Sequence, residues 1–160
     1  QKRFDTLVWQ RLRSFDPARP VFVESESRKV GNVAVPDALI AAMRASPCVR
    51  LDLPDSERVA LLLEDYDFFV RDRAFFCQRL DALVELRGKA TVQAWKDKVL
   101  AGDFNTVVRD LLSIHYDPGY ERSMRNNFVR YADAVTVAAR SRSMEEMERL
   151  ARDLLQAQGA

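Results

Sequence analysis

The sequence predicts a predominantly helical α/β domain built on about three short parallel strands. Three short apolar or alternating runs read as strands, and helix-periodic stretches follow each of them. The interval between the second and third runs is long and wholly helical. Strand followed by helix, repeated, asks for a parallel sheet with its crossovers in helices. A chain of 160 residues can hold one domain with a real core, so residues 1–160 are read as a single domain.

The elements follow from spacing and punctuation. Phe4, Leu7, Val8, Leu12 and Phe15 recur at helical intervals over residues 3–15. Asp16-Pro17 ends that helix, because the residue before proline is pushed out of the α region. Pro20 leads into Val21-Phe22-Val23, an apolar run suited to a buried strand. The run ends in Glu24-Ser25-Glu26-Ser27-Arg28-Lys29, then Gly31. Pro36 suits a first helical position, and the helix continues over 37–45. Cys48 to Leu53 alternates and gives the second strand. Pro54 and Asp55 open a long helix to about Val70. Residues 73–87 form another, stopped by Gly88, and residues 90–100 a third, stopped by Gly102. Asp103 is an N-cap for a helix ending near Tyr116, where Asp117-Pro118 follows. Residues 120–128 add a short helix. Ala134 to Ala138 is the third strand. Ser143 with Glu146 makes a capping box for a last amphipathic helix through Leu150, Leu154 and Leu155.

Composition bounds the function. Apolar residues make up 48% of the chain, charged residues 31%, and the net charge is +1. That balance suits a cytoplasmic protein and sets up no global field for nucleic acid. Locally, residues 1–31 carry seven basic and four acidic side chains, whereas residues 50–70 carry two and six. An anionic partner should therefore prefer the first region. Two cysteines outside any CxxC pair and one histidine make neither a disulfide framework nor a dedicated metal site. No apolar run is long enough for a membrane span. The opening Gln1-Lys2-Arg3 reads as the start of a piece of a longer protein.

Two segments could carry chemistry. In VFVESESRKVG, an acid closing an apolar strand resembles the carboxylate that helps hold magnesium on a phosphate chain. Glu24 and Glu26 would share one strand face, with Cα atoms roughly 6–7 Å apart. Such a pair needs a cation between them, from Arg28, Lys29 or a metal. The competing reading is a solvated charged loop. In IHYDPGYERSMRNN, His115 at a helix C-terminus either complements the helix dipole or serves as general acid or phosphate contact. Tyr116, Tyr120 and Arg122 beside it suit base stacking, although residues 115–131 net only +1. The run LLLEDYDFF reads as core residues with a solvated acidic face. Cys48 and Cys77 read as small core residues. There is no G-x-x-x-x-G-K-[ST] loop, no G-x-S-x-G and no H-E-x-x-H.

Five ordered stretches carry a resemblance: QKRFDTLVWQRL, RPVFVESESRKVGNVAVPDAL, LLLEDYDFF, LDALVELRGK and LLSIHYDPGYERSM. Together they resemble the C-terminal half of bacterial tRNA 2-selenouridine synthases. The resemblance implies a parent with a rhodanese-like domain bearing the catalytic cysteine and a P-loop domain. This chain would be the C-terminal portion of that second domain, beginning after its Walker A loop. It implies a transferase that replaces sulfur by selenium at the wobble 2-thiouridine of tRNA, using selenophosphate. Geranylation of that sulfur from geranyl diphosphate is associated with it. Glu24, Glu26, Ser27, Arg28, Lys29 and Gly31 match the family's strand-end motif, with the glutamates expected in magnesium or proton work and Ser27 to Gly31 at phosphate. His115, Tyr116, Asp117, Pro118 and Tyr120 match its HYDP motif, with His115 in a catalytic role and Tyr116, Tyr120 and Arg122 at tRNA or ligand. No cofactor is expected on the piece alone; magnesium would come with a phosphate ligand in the parent. Lys2, Arg3, Arg11 and Arg13 are either an exposed basic helix side or tRNA phosphate contacts. Loss of a central strand would leave unpaired edges, so an altered sheet or a homodimer is expected. The alternative is a helical docking module without a catalytic role.

Overall fold

The computed structural model describes residues 1–25 and 28–158, with the side chain of Gln158 left aside. Helix α1 covers Lys2–Arg13. Strands β1, Lys29–Val30, and β2, Val33–Ala34, form a small hairpin before helix α2, Asp37–Ala45. Strand β3, Val49–Asp52, is followed by six helices: α3 (Asp55–Asp65), α4 (Asp67–Arg71), α5 (Arg73–Asp81), α6 (Val84–Arg87), α7 (Lys89–Ala101) and α8 (Phe104–Asp110). A π-helical turn, Leu111–Tyr116, joins α8 to α9, Asp117–Asn127. Strand β4, Val135–Ala138, and helix α10, Met144–Gln158, complete the described chain.

The sheet corrects the expected one. Strands β3 and β4 pair with each other. The Val135 N–H donates to the Cys48 carbonyl at 3.2 Å, and the Ala139 N–H to the Asp52 carbonyl at 2.8 Å. Both partners advance along the chain together, so the pair is parallel, with the helices from α3 to α9 as its crossover. These are the second and third expected strands. The first, Val21-Phe22-Val23, has no regular structure and its side chains are about half exposed. A strand exists only where a neighbour takes its N–H and C=O groups, and no ladder reaches this run. Among the described residues, the parallel sheet has two strands, not three. In addition, β1 and β2 pair antiparallel, Lys29 opposite Ala34 and Val30 opposite Val33.

The chain divides into two compact units. One comprises Gln1–Leu51, Ser123–Val137 and Ser143–Ala160; the other comprises Asp52–Arg122 and Ala138–Arg142.

In the second unit, the core joins Phe76 and Leu80 of α5, Val92, Trp95 and Val99 of α7, and Phe104 and Val107 of α8. These are the apolar positions of α5, α7 and α8, which leave water by packing against one another. The buried indole of Trp95 donates through Nε1 to Asp110 Oδ2 at 3.1 Å, and Lys98 Nζ reaches the same oxygen at 3.1 Å. The one polar atom of the ring is thus satisfied inside the core. Asp72 caps α5 by accepting from the Phe75 N–H, and Asp103 caps α8 by accepting from the Thr106 N–H. Gly102, at φ +86°, provides the left-handed residue that closes α7 before that cap. The expected long helix from Asp55 breaks at Tyr66, whose φ and ψ of −113° and 37° leave the helical range.

In the first unit, Ile40, Met124, Tyr131 and Leu150 are buried. Glu146 is buried too, and Arg149 answers it with two bonds of 2.8 and 2.9 Å. The Arg149 guanidinium is stabilised in its charged form by that carboxylate. The Glu146 N–H donates to Ser143 Oγ at 3.2 Å, which is the cap read in the sequence.

Candidate functional site

The segment VFVESESRKVG lies in the first unit. Glu24 is exposed on the irregular stretch after Val23, so strand alternation does not set its direction. Glu26 and Ser27 lie outside the described residues. Arg28 precedes β1, and its guanidinium pairs with Asp37 in the first turn of α2. The Val35 N–H donates to the Arg28 carbonyl at 2.8 Å, extending the hairpin ladder by one rung. Lys29 opens β1 and is exposed.

Gly31 begins the two-residue turn Gly31-Asn32. Its φ is +59°, and among the described residues none other than glycine has a positive φ. A positive φ at the first central position only is the requirement of a II′ hairpin turn. Gly31 therefore has a backbone reason to be glycine. The Gln1 side chain borders the same hairpin: its amide accepts from the Ala34 N–H at 2.9 Å and donates to the Ala34 carbonyl at 2.8 Å.

The segment HYDPGYER lies in the second unit. The expected helix stop at Asp117-Pro118 does not occur. The chain stays helical through it, by way of the π-helical turn at Leu111–Tyr116. Proline lacks an N–H, and its ring crowds the carbonyl four residues back. Widening the preceding turn to i→i+5 bonding removes that crowding. The Asp117 N–H accordingly donates to the Leu112 carbonyl. His115 thus sits within a helix rather than at its end.

Arg87, at the end of α6, brings Nε to 3.3 Å and Nη2 to 3.2 Å from His115 Nδ1. Guanidinium has donors only, so Nδ1 accepts and the ring proton is on Nε2. Tyr116 meets the imidazole edge-on at 5.0 Å and is 60% exposed. Asp117 is held by Arg58 of α3 through two bonds of 2.9 and 2.5 Å. That hydrogen-bonded carboxylate keeps the Arg58 proton on more firmly than in water. Tyr120 and Arg122 are exposed on α9.

The structure brings His115 together with Tyr116 and Arg87, and Arg28 together with Asp37. Arg58, Arg87 and Asp37 were not legible as site neighbours. The first two stand 59 and 28 residues from their partners, and no local pattern links such positions. Among the described residues, no group of three or more His, Cys, Asp or Glu side chains could hold a metal ion. Among the described residues, no helix is long and apolar enough to cross a membrane.

The fold and these segments define a helix-rich α/β class, with a charged turn in one unit and a histidine-tyrosine helix in the other. The family model described as the tRNA 2-selenouridine synthase AAA domain matches residues 1–82, and the chain belongs to that family. A curated tRNA 2-selenouridine synthase from Aeromonas salmonicida is 30% identical, over 65% of this chain and 35% of its own. Another, from Marinobacter nauticus, is 40% identical over 29% of this chain and 13% of its own. The chain thus spans about a third of the length of the first relative. No solved structure matches significantly.

Proposed function

We propose that this chain is part of a tRNA-modifying transferase that replaces sulfur by selenium at the wobble 2-thiouridine. Selenophosphate is the proposed selenium donor, and geranyl diphosphate the substrate of an associated geranylation. The observation that carries this reading is the family match over residues 1–82, within which ESESRKVG lies. In this reading the chain contributes part of a phosphate and tRNA surface of a cytoplasmic enzyme. Glu24 and Glu26 do magnesium or proton work, and Ser27, Arg28, Lys29 and Gly31 bind the phosphate. His115 offers Nε2–H to an oxyanion or leaving group, and Tyr116, Tyr120 and Arg122 contact RNA or ligand. The chain alone is proposed to be inactive, since its sequence holds neither a Walker A loop nor a cysteine paired with a histidine.

The test is selenium incorporation into thiolated tRNA by the full-length protein that contains this chain. Glu24→Gln and Arg28→Ala should each lower it by about 100-fold or more, the usual scale for losing a proton-transfer or charge-stabilising group. Two fully active variants would make the strand-end motif structural. A second reading is a helical docking module. It is favoured by the ion pair of Arg28 with Asp37, which gives the motif's arginine a structural partner. Salt-dependent tRNA binding by the chain supports the first reading, and its absence the second.

A further inference from the structure

Helix α1 is amphipathic but buries none of its residues. Its apolar arc runs through Leu7, Phe4, Val8 and Leu12, and the half-buried members are Phe4 and Val8. Trp9 lies outside that arc. At about 100° per residue it stands roughly 100–140° around the helix from Val8 and Phe4, and about 60° beyond Leu12 at the edge of the arc. There it shares a stripe with the exposed Lys2, Thr6 and Arg13, and Asp5 lies one turn before it. Trp9 is 55% exposed, and the Arg13 guanidinium lies 4.7 Å from its ring centroid. A second stack follows at the same i, i+4 spacing, with Arg11 4.9 Å from the Phe15 ring.

Trp9 thus stands at the border of the apolar arc and the basic stripe, with its ring stacked against the cation of Arg13. The informative departure is a large exposed aromatic ring stacked on a guanidinium. Its chemistry selects an anionic partner that also has flat faces. An indole with an open face and a guanidinium beside it is the combination that stacks unpaired bases while neutralising phosphates. Residues 1–19 carry five basic and two acidic side chains, so the charge complements RNA.

We propose that the Lys2–Trp9–Arg13 stripe of α1 is a stacking surface for single-stranded RNA, with Trp9 against a base and Arg13 and Lys2 on flanking phosphates. This deepens the proposed function, because it rests on tRNA being the substrate and names one surface that holds it.

Titration of the 160-residue chain with an unmodified anticodon stem-loop RNA, read by indole fluorescence, tests it. Trp95 is only 2% exposed, so quenching on binding should come from Trp9. Trp9→Ala should abolish the quench and weaken binding about ten-fold or more, while Trp9→Phe restores most of the affinity. Arg13→Gln should lower the slope of log affinity against log salt by about 0.7. Far-UV circular dichroism confirms that each variant is folded. RNA binding that is unchanged in Trp9→Ala would overturn the surface and leave the tRNA reading standing. No RNA binding by the folded chain would also overturn it, while selenium incorporation by the full-length protein judges the function separately. If Trp9→Ala alters only self-association, the stripe is a protein contact and the proposal is wrong.

Discussion

At the scale of single residues, Arg142 does the most with one side chain. In the second unit its guanidinium takes both oxygens of Glu64 at 2.7 and 2.8 Å. Its Nε and backbone N–H both reach Glu57 Oε2, at 3.2 and 3.3 Å. The hydrogen bonds from Arg142 hold the Glu64 carboxyl below the usual carboxylate range, and Glu64 in turn raises Arg142. A depressed carboxylate pKa adds stability above the unfolded value near 4.5, and loses it as pH falls through the lower folded value. Arg142 stays protonated throughout. Urea unfolding of wild type and Arg142→Ala should therefore differ at about pH 7 and converge only as pH falls through the lowered folded value of Glu64. The difference at neutral pH should be modest, because water screens exposed pairs. A constant gap across that range would assign the effect to packing.

Among the elements, the β1–β2 hairpin separates backbone need from ligand need. Gly31→Ala introduces a side chain at φ +59°, although a Cβ there meets nothing within 4 Å. The cost is conformational, about 1 kcal/mol, and should appear as a lower thermal midpoint. If Gly31 acts only through the turn, inorganic phosphate binding by the folded variant should equal that of wild type. A loss of phosphate binding at unchanged stability would instead place Gly31 against the ligand. The π-helical turn makes the same point about local rules. Asp117-Pro118 reads as a stop, yet six residues of wider helix carry the chain past it. They can do so because Leu112 is buried and Asp117 is anchored by Arg58, so tertiary contacts outweigh the local preference.

For the whole molecule, stability in the second unit rests on the α5–α7–α8 cluster. Val99 and Val107 are fully buried there. Val107→Ala removes two methyl groups from a closed site and should cost about 2 kcal/mol, measured by urea unfolding. A cost under about 0.5 kcal/mol would mean that the cluster closes around the gap.

Most helices were legible because an amphipathic repeat writes its period into consecutive residues. So were their caps at Asp103 and Ser143, where donor and acceptor are three residues apart. The paired strands were legible from alternation and apolar composition at Cys48 to Leu53 and Ala134 to Ala138. The sequence by itself determined the helix-rich α/β class and, through its ordered motifs, the family. Only the tertiary structure decided which apolar runs became strands, since a strand needs a partner that Val21-Phe22-Val23 does not have. It alone also decided the company of the motif residues, His115 with Arg87, Asp117 with Arg58 and Arg28 with Asp37. Those partners are set by how helices and turns pack, and packing leaves no periodic trace in the order of residues.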